Sequence, residues 1–120
     1  MEDYAKGDIV WVPFPFSADQ DYKVRSAIIL ASWLYSGHFD YLVCMFSSQR
    51  ADDPYLLPLD NSDLLQGKLS QTCFVRPTYT FAVYGFAIKR RLGRLMPRKT
   101  AEIVDAIIGV LNQQRTIEPT

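Results

Sequence analysis

Arg25 immediately precedes the run Ser26-Ala27-Ile28-Ile29-Leu30, and Ser47-Ser48 immediately follows another, Leu42-Val43-Cys44-Met45-Phe46. If both runs are strands that pair as antiparallel neighbours, the start of one lies beside the end of the next. Arg25 and Ser47 then share one rim of the sheet. A guanidinium beside a hydroxyl is a phosphate-binding pair, because arginine offers forked donors to phosphate oxygens. The same residues have a purely structural account. Arg25 would pair with Asp21 or another local acid, and Ser47 would end its strand through a backbone hydrogen bond. On residue types alone the structural account is the stronger.

Other chemistries find less to build on. The chain has one histidine, His38, so any Ser-His-Asp or Cys-His arrangement would have to use it. It stands in the turn-like stretch Tyr35-Ser36-Gly37-His38-Phe39 and reads as an ordinary surface or hinge residue. Metal sites of the common kind need several converging His or Cys ligands, and Asp52-Asp53 reads as a solvated loop pair before it reads as a magnesium site. The chain shows no phosphate-cradling glycine loop and no dinucleotide fingerprint, which argues against nucleotide hydrolysis and hydride transfer. Cys44 and Cys73 lie inside apolar runs and are expected to be buried free thiols of a cytosolic protein.

The elements that must position Arg25 and Ser47 are mostly strands. Residues 8–14 are β-rich, residues 25–33 hold a nearly continuous apolar run, and residues 39–46 form a third strand after the Ser36-Gly37 turn. The polar stretches 17–23 and 47–54 are connections, the first of them expected to be mobile. Residues 56–59 make a short strand that Pro58 confines to an edge. Asp60-Asn61-Ser62-Asp63 is a turn expected to cap a single helical turn through Leu64 and Leu65. Residues 70–75 and 79–89 read as further extended segments. From Pro97 onward, Ile103, Ala106, Ile107, Val110 and Leu111 recur at helical spacing and predict one amphipathic C-terminal helix. Pro97 suits its first turn, but Arg98 and Lys99 oppose the helix dipole there, so Thr100 is expected to be the cap. Residues 113–120 are expected to fray.

At 120 residues, with 48% hydrophobic and 13% aromatic side chains, the chain fits a single domain over residues 1–120 with its own core. Five to seven short strands and one terminal helix indicate a mainly β (α+β) fold, a small barrel or sandwich. No apolar run approaches the ~20 residues that span a bilayer, and the acidic start Met1-Glu2-Asp3-Tyr4 is unlike a signal peptide. A soluble cytoplasmic protein is expected. Formal net charge is zero, yet residues 1–63 carry ten acidic and four basic side chains. Residues 64–100 carry eight basic side chains (Lys68, Arg76, Lys89, Arg90, Arg91, Arg94, Arg98, Lys99) and no acidic one. Such a skew implies a positive surface, either for a polyanionic partner or as a solvated face with no ligand.

Several segments together resemble the PemK/MazF type of toxin. The opening Gly7-Asp8-Ile9-Val10-Trp11-Val12-Pro13-Phe14-Pro15-Phe16 is similar to the family's first strand and the loop that leaves it. Arg25-Ser26-Ala27-Ile28-Ile29-Leu30-Ala31-Ser32 resembles its Arg-Pro-Ala-Val-Val-Leu-Ser segment, and Phe46-Ser47-Ser48-Gln49 stands where it has a Thr-containing turn. Val75-Arg76-Pro77 and Leu92-Gly93-Arg94-Leu95 look like its later landmarks. The resemblance implies an SH3-like β-barrel, a homodimer, and metal-independent cleavage of single-stranded RNA, without a cofactor, restrained by a cognate antitoxin. Arg25 and Ser47 would serve the reaction, and Ser48, Gln49, Arg76, Lys89, Arg90, Arg91 and Arg94 would contact RNA. Tyr22 or Phe16 could stack on a base. Two departures stand out: Ser26 replaces the family's proline, and Ser47 its threonine. Two other readings follow from the same resemblance: a toxin that poisons a protein such as DNA gyrase, and an inactive scaffold.

Overall fold

The computed structural model describes residues 3–14 and 23–113. Within them the chain runs through β1 (Asp8–Phe14), β2 (Lys23–Tyr35), β3 (His38–Ser47), β4 (Leu57–Leu59), β5 (Leu64–Gln66), β6 (Cys73–Tyr84), β7 (Arg90–Leu95) and α1 (Pro97–Leu111). The strands form one antiparallel sheet of order β4-β6-β3-β2-β1-β7-β5. Alternation of side chains sorts the apolar residues into two layers. Ile9, Ile28, Phe46, Leu59, Val75 and Leu95 turn to one face, where Ile103, Val104 and Ile107 of α1 join them. Val10, Val12, Ala27, Ile29, Tyr41 and Val43 turn to the other, beneath Ile88. All seven strands contribute to the first cluster, so the sheet curls around it. The fold is thus mainly β with one terminal helix and barrel-like in form, although edges β4 and β5 do not pair with each other.

The two-residue turn between β2 and β3 has Ser36 at φ 50° and Gly37 at φ 82°, the primed geometry that matches strand twist. It fixes β2 and β3 as antiparallel neighbours. Of the apolar run 27–31, whose continuity suggests a strand buried on both faces, Ala27 to Leu30 are buried and Ala31 is exposed. The short strand interrupted by Pro58 is edge strand β4.

Four expectations need correction. Leu64 and Leu65 do not continue a helical turn. Asp60 caps a 3-10 turn over Asn61–Asp63 through a capping box, after which Leu64 is extended and begins β5. The segments 70–75 and 79–89 are not separate strands. Their facing parts join in β6, and residues 85–87 leave it as a 3-10 turn. Residues 90–95, not expected as a strand, are β7, held between β1 and β5. The β5 edge comes in closely because Gly67 and Gly93 lack side chains. A Cβ at Gly93 would lie 2.5 Å from the Gln66 carbonyl oxygen, and one at Gly67 2.8 Å from that of Leu92. Finally, Met96 and not Thr100 precedes the helix, with Pro97 at its first position. The cations there are matched by Asp63: Arg98 Nη1 lies 3.4 Å from Oδ1 and Lys99 Nζ 3.9 Å from Oδ2. The expectations for residues 17–22 and 114–120 lie outside the described residues.

Candidate functional site

The last pair of the β2–β3 ladder at its open end is Ala27↔Met45. Two residues beyond this pair stand Arg25 on β2 and Ser47 on β3, at the same end of the two strands. On its other side Arg25 pairs with Val12 of β1, and Ser47 pairs with Phe74 of β6. The end row of the sheet thus holds two pairs, Phe74 with Ser47 and Arg25 with Val12. Arg25 is half-buried, and among the described residues it forms no ion pair. Asp21, its suggested local partner, lies outside them. Ser47 does what the structural account required: its Oγ accepts the Gln49 amide hydrogen at 3.1 Å. That bond uses an oxygen lone pair and leaves the hydroxyl proton available to a ligand.

Around this row the structure gathers cations on aromatic rings. The Arg50 guanidinium lies 5.5 Å from the Phe74 ring, and that of Arg76 lies 3.7 Å from the Tyr79 ring. Arg76 reaches its place because β6 bulges. Cys44 faces Thr80 and Phe46 faces Val75, so four residues, 76–79, stand opposite Met45 alone. Asp53 pins the bulge, accepting from Thr78 Oγ1 at 3.0 Å and from the Tyr55 amide at 2.9 Å. The Tyr55 amide foremost, then Thr78 and Arg76, hold its carboxyl below the usual carboxylate range. Arg76 Nε lies 3.5 Å from Asp53 Oδ2, yet this buried nitrogen makes no hydrogen bond. Arg50, Phe74 and Tyr79 were not singled out by sequence. Alternation beside Cys73 and Val75 is the one signal that could have found Phe74.

The basic residues of β7, with Lys89 just before it, divide into two groups. Lys89, Arg90 and Arg91 are exposed, and the Arg90 guanidinium lies 5.5 Å from the Trp11 ring. Trp11 pairs with both Arg90 and Ser26, one residue along from the Arg25 row. Arg94 instead binds Asp8, Nε to Oδ1 2.7 Å, and Asp8 is fully buried with Oδ2 taking the Ala5 amide at 2.8 Å. The hydrogen bond with Asp8 raises the Arg94 pKa. Ser48 and Gln49 are exposed at the end of β3.

At the same end an open cleft of about 300 Å³ enters the mouth of the curled sheet. Ile9, Phe46, Leu64, Leu92 and Cys73 line it, and so do Ser26, Ser47, Ser48, Lys68, Ser70 and Gln71. His38 stands at the opposite end of the β2–β3 hairpin, Nε2 3.2 Å from Asp40 Oδ1 and among Tyr35 and Phe86. It has no part in the Arg25 rim. Cys44 and Cys73 are buried free thiols. Burial pushes the Cys44 thiol up to about 11, so it stays protonated at neutral pH. Among the described residues no group of three or more His, Cys, Asp or Glu could hold a metal ion, and no helix is long and apolar enough to cross a membrane. Phe16 and Tyr22 lie outside the described residues.

The family described as PemK-like, MazF-like toxin of type II toxin-antitoxin system matches residues 5–111. Among solved structures, the chain resembles an endoribonuclease in complex with its cognate antitoxin from Mycobacterial species. The TM-score is 0.69 at 15% identity, covering 95% of this chain and 100% of that one. It also resembles the Mycobacterium tuberculosis toxin MazF-mt6, with TM-score 0.66 and 16% identity over 90% and 99% of the two chains. At these identities the likeness is one of fold. Among curated proteins no match is found.

Proposed function

This chain belongs to the PemK-like, MazF-like family of type II toxin–antitoxin toxins, and from that premise we propose that it is a metal-independent endoribonuclease cleaving single-stranded mRNA. The observation that carries the reading is that Arg25 and Ser47 stand at one end of the paired strands β2 and β3, on a rim flanked by Arg50 on Phe74 and Arg76 on Tyr79. Cations alternating with ring faces suit a single strand, whose phosphates and bases need both.

In the proposed reaction the RNA supplies its own nucleophile. The 2′-oxygen forms a bond to the adjacent phosphorus as it loses its proton, and the bond from phosphorus to the 5′-oxygen breaks. The leaving oxygen takes up a proton, and the other end is a 2′,3′-cyclic phosphate. Negative charge grows on the non-bridging oxygens, where the forked donors of Arg25 stabilise it. Arginine is very hard to deprotonate, so its role is electrostatic. Ser47 donates its free hydroxyl proton to the same phosphate. Lys89, Arg90 and Arg91 contact the backbone of the strand, as do Arg76, Ser48 and Gln49 nearer the cut. Arg94, engaged by Asp8, is the least available of the expected contacts. Cytoplasmic action as a homodimer neutralised by a cognate antitoxin completes the reading. A fold-relative solved with its own antitoxin supports the last part.

The test is incubation of the antitoxin-free protein with mixed-sequence single-stranded RNA in EDTA, beside Arg25→Ala. Cleavage to cyclic-phosphate ends by the native protein, lost in the variant, is expected. Absence of cleavage across varied RNAs would turn the reading towards a toxin that binds a protein target.

A further inference from the structure

The cleft in the barrel mouth adjoins the Arg25 rim without being part of it. Ser47 links the two, lining the cleft and standing at the same end of the β2–β3 pair as Arg25. Arg25 and Ser26 are consecutive on β2, so their side chains leave opposite faces of the strand. Arg25 pairs with Val12, whose side chain belongs to the second apolar layer, whereas Ser26 lines the cleft. A ligand phosphate at Arg25 therefore has a second, chemically different compartment immediately beside it.

The lining of that compartment specifies what it takes. At about 300 Å³ it lies at the small end of ligand pockets, which favour barrel mouths, so it admits one ring system and not a length of chain. Phe46 and Leu92 give it an apolar floor. Ser26, Ser70 and Gln71 give it neutral donors and acceptors, and among the described residues no hydrogen bond engages the side chains of these three. Lys68 is the one cation in the lining, too little for an anion site. A flat apolar contact with unspent neutral hydrogen-bonding groups around it fits a heterocycle that carries donors and acceptors along one edge. Resting on the reading of this protein as a ribonuclease, we infer that the barrel mouth is a base pocket. It takes the splayed nucleobase of a nucleotide flanking the scissile phosphate, and Gln71 reads that base's hydrogen-bonding edge. Sequence-specific RNA recognition works through such extruded bases. An amide side chain offers a paired donor and acceptor, the means by which one base is told from another.

The experiment sequences the ends produced from a randomised single-stranded RNA pool by the native protein and by Gln71→Ala. The variant is expected to lose roughly tenfold or more of its base preference at one position next to the cut and to keep its preferences elsewhere. An unchanged profile, or a uniform slowing on all sequences, overturns the inference. A parallel titration separates this from failure of the ribonuclease reading. Labelled short single strands that differ at one base are bound to Arg25→Ala with and without Gln71→Ala. Discrimination that depends on Gln71 supports the pocket even if no RNA is ever cut. Equal binding of all strands by both proteins overturns it even if cutting is robust.

Discussion

The Ser47 hydroxyl already accepts the Gln49 amide hydrogen, and its proton remains for a ligand. One side chain thus ends a strand and offers a donor, and substitution can separate the two roles. Ser47→Ala removes both. It is expected to lower the single-turnover cleavage rate about a hundredfold, the size of loss seen when one preorganised donor is deleted. The freed Gln49 amide is exposed, so water replaces the lost acceptor at small cost to stability. Ser47→Thr keeps the hydroxyl and adds the methyl that narrows its rotamers, and its rate should match or exceed the native one. If Ser47→Ala cuts as fast as the native chain, the residue serves the turn alone. The antiparallel pairing that brings the start of one run and the end of the other to one rim is legible in sequence, because a tight turn joins them at Ser36-Gly37. Arg50, Phe74 and Tyr79 are not legible, because their positions depend on where β6 bulges against β3.

At the scale of elements, that bulge is the part of the site most dependent on a single charge. The Asp53 carboxylate ties the loop after β3 to Thr78 and Arg76 across 25 and 23 positions of sequence. Its pKa is held down, first by the Tyr55 amide. The unfolded chain therefore binds a proton at this group at a pH where the folded chain does not. The stabilisation is complete above the ordinary aspartate value of about 3.9 and is lost as pH falls through the lower folded value. Asp53→Asn should lower the melting temperature at pH 7 and flatten its fall below about pH 4. Parallel acid limbs for the two proteins would show that the carboxylate is not what anchors the bulge. The elements misread from sequence share a cause: each is set by a distant partner. Leu64 and Leu65 carry no local signal for a strand, and β5 exists because Gly67 and Gly93 let it approach β7. Residues 90–95, with three arginines among six residues, look too polar for a strand until β1 and β5 are placed on either side. The helix start moved to Pro97 because Asp63, brought in by the turn before β5, offsets the cations that seemed to forbid it.

Across the whole molecule, the charge skew of the sequence becomes two different things once folded. Arg94 neutralises the buried Asp8 and so belongs to the core, while Arg90 and Arg91 of the same strand, and Lys89 just before it, are exposed on the surface. Only the second kind can release counterions when RNA binds. For single strands, log K falls with log salt by about 0.7 for each phosphate neutralised. In an Arg25→Ala background, which permits binding without cutting, Arg90→Ala with Arg91→Ala should reduce that slope by about 1.4 at about 0.7 per contact. It should leave the melting temperature nearly unchanged, since both side chains are exposed. Arg94→Ala should do the reverse, lowering the melting temperature because the Asp8 carboxylate stays buried without its cation. Salt titration of a labelled single strand and thermal unfolding of the same samples give both readouts. If the double variant keeps the native slope, β7 is a solvated face, and the strand must run along the Arg50 and Arg76 side of the rim instead.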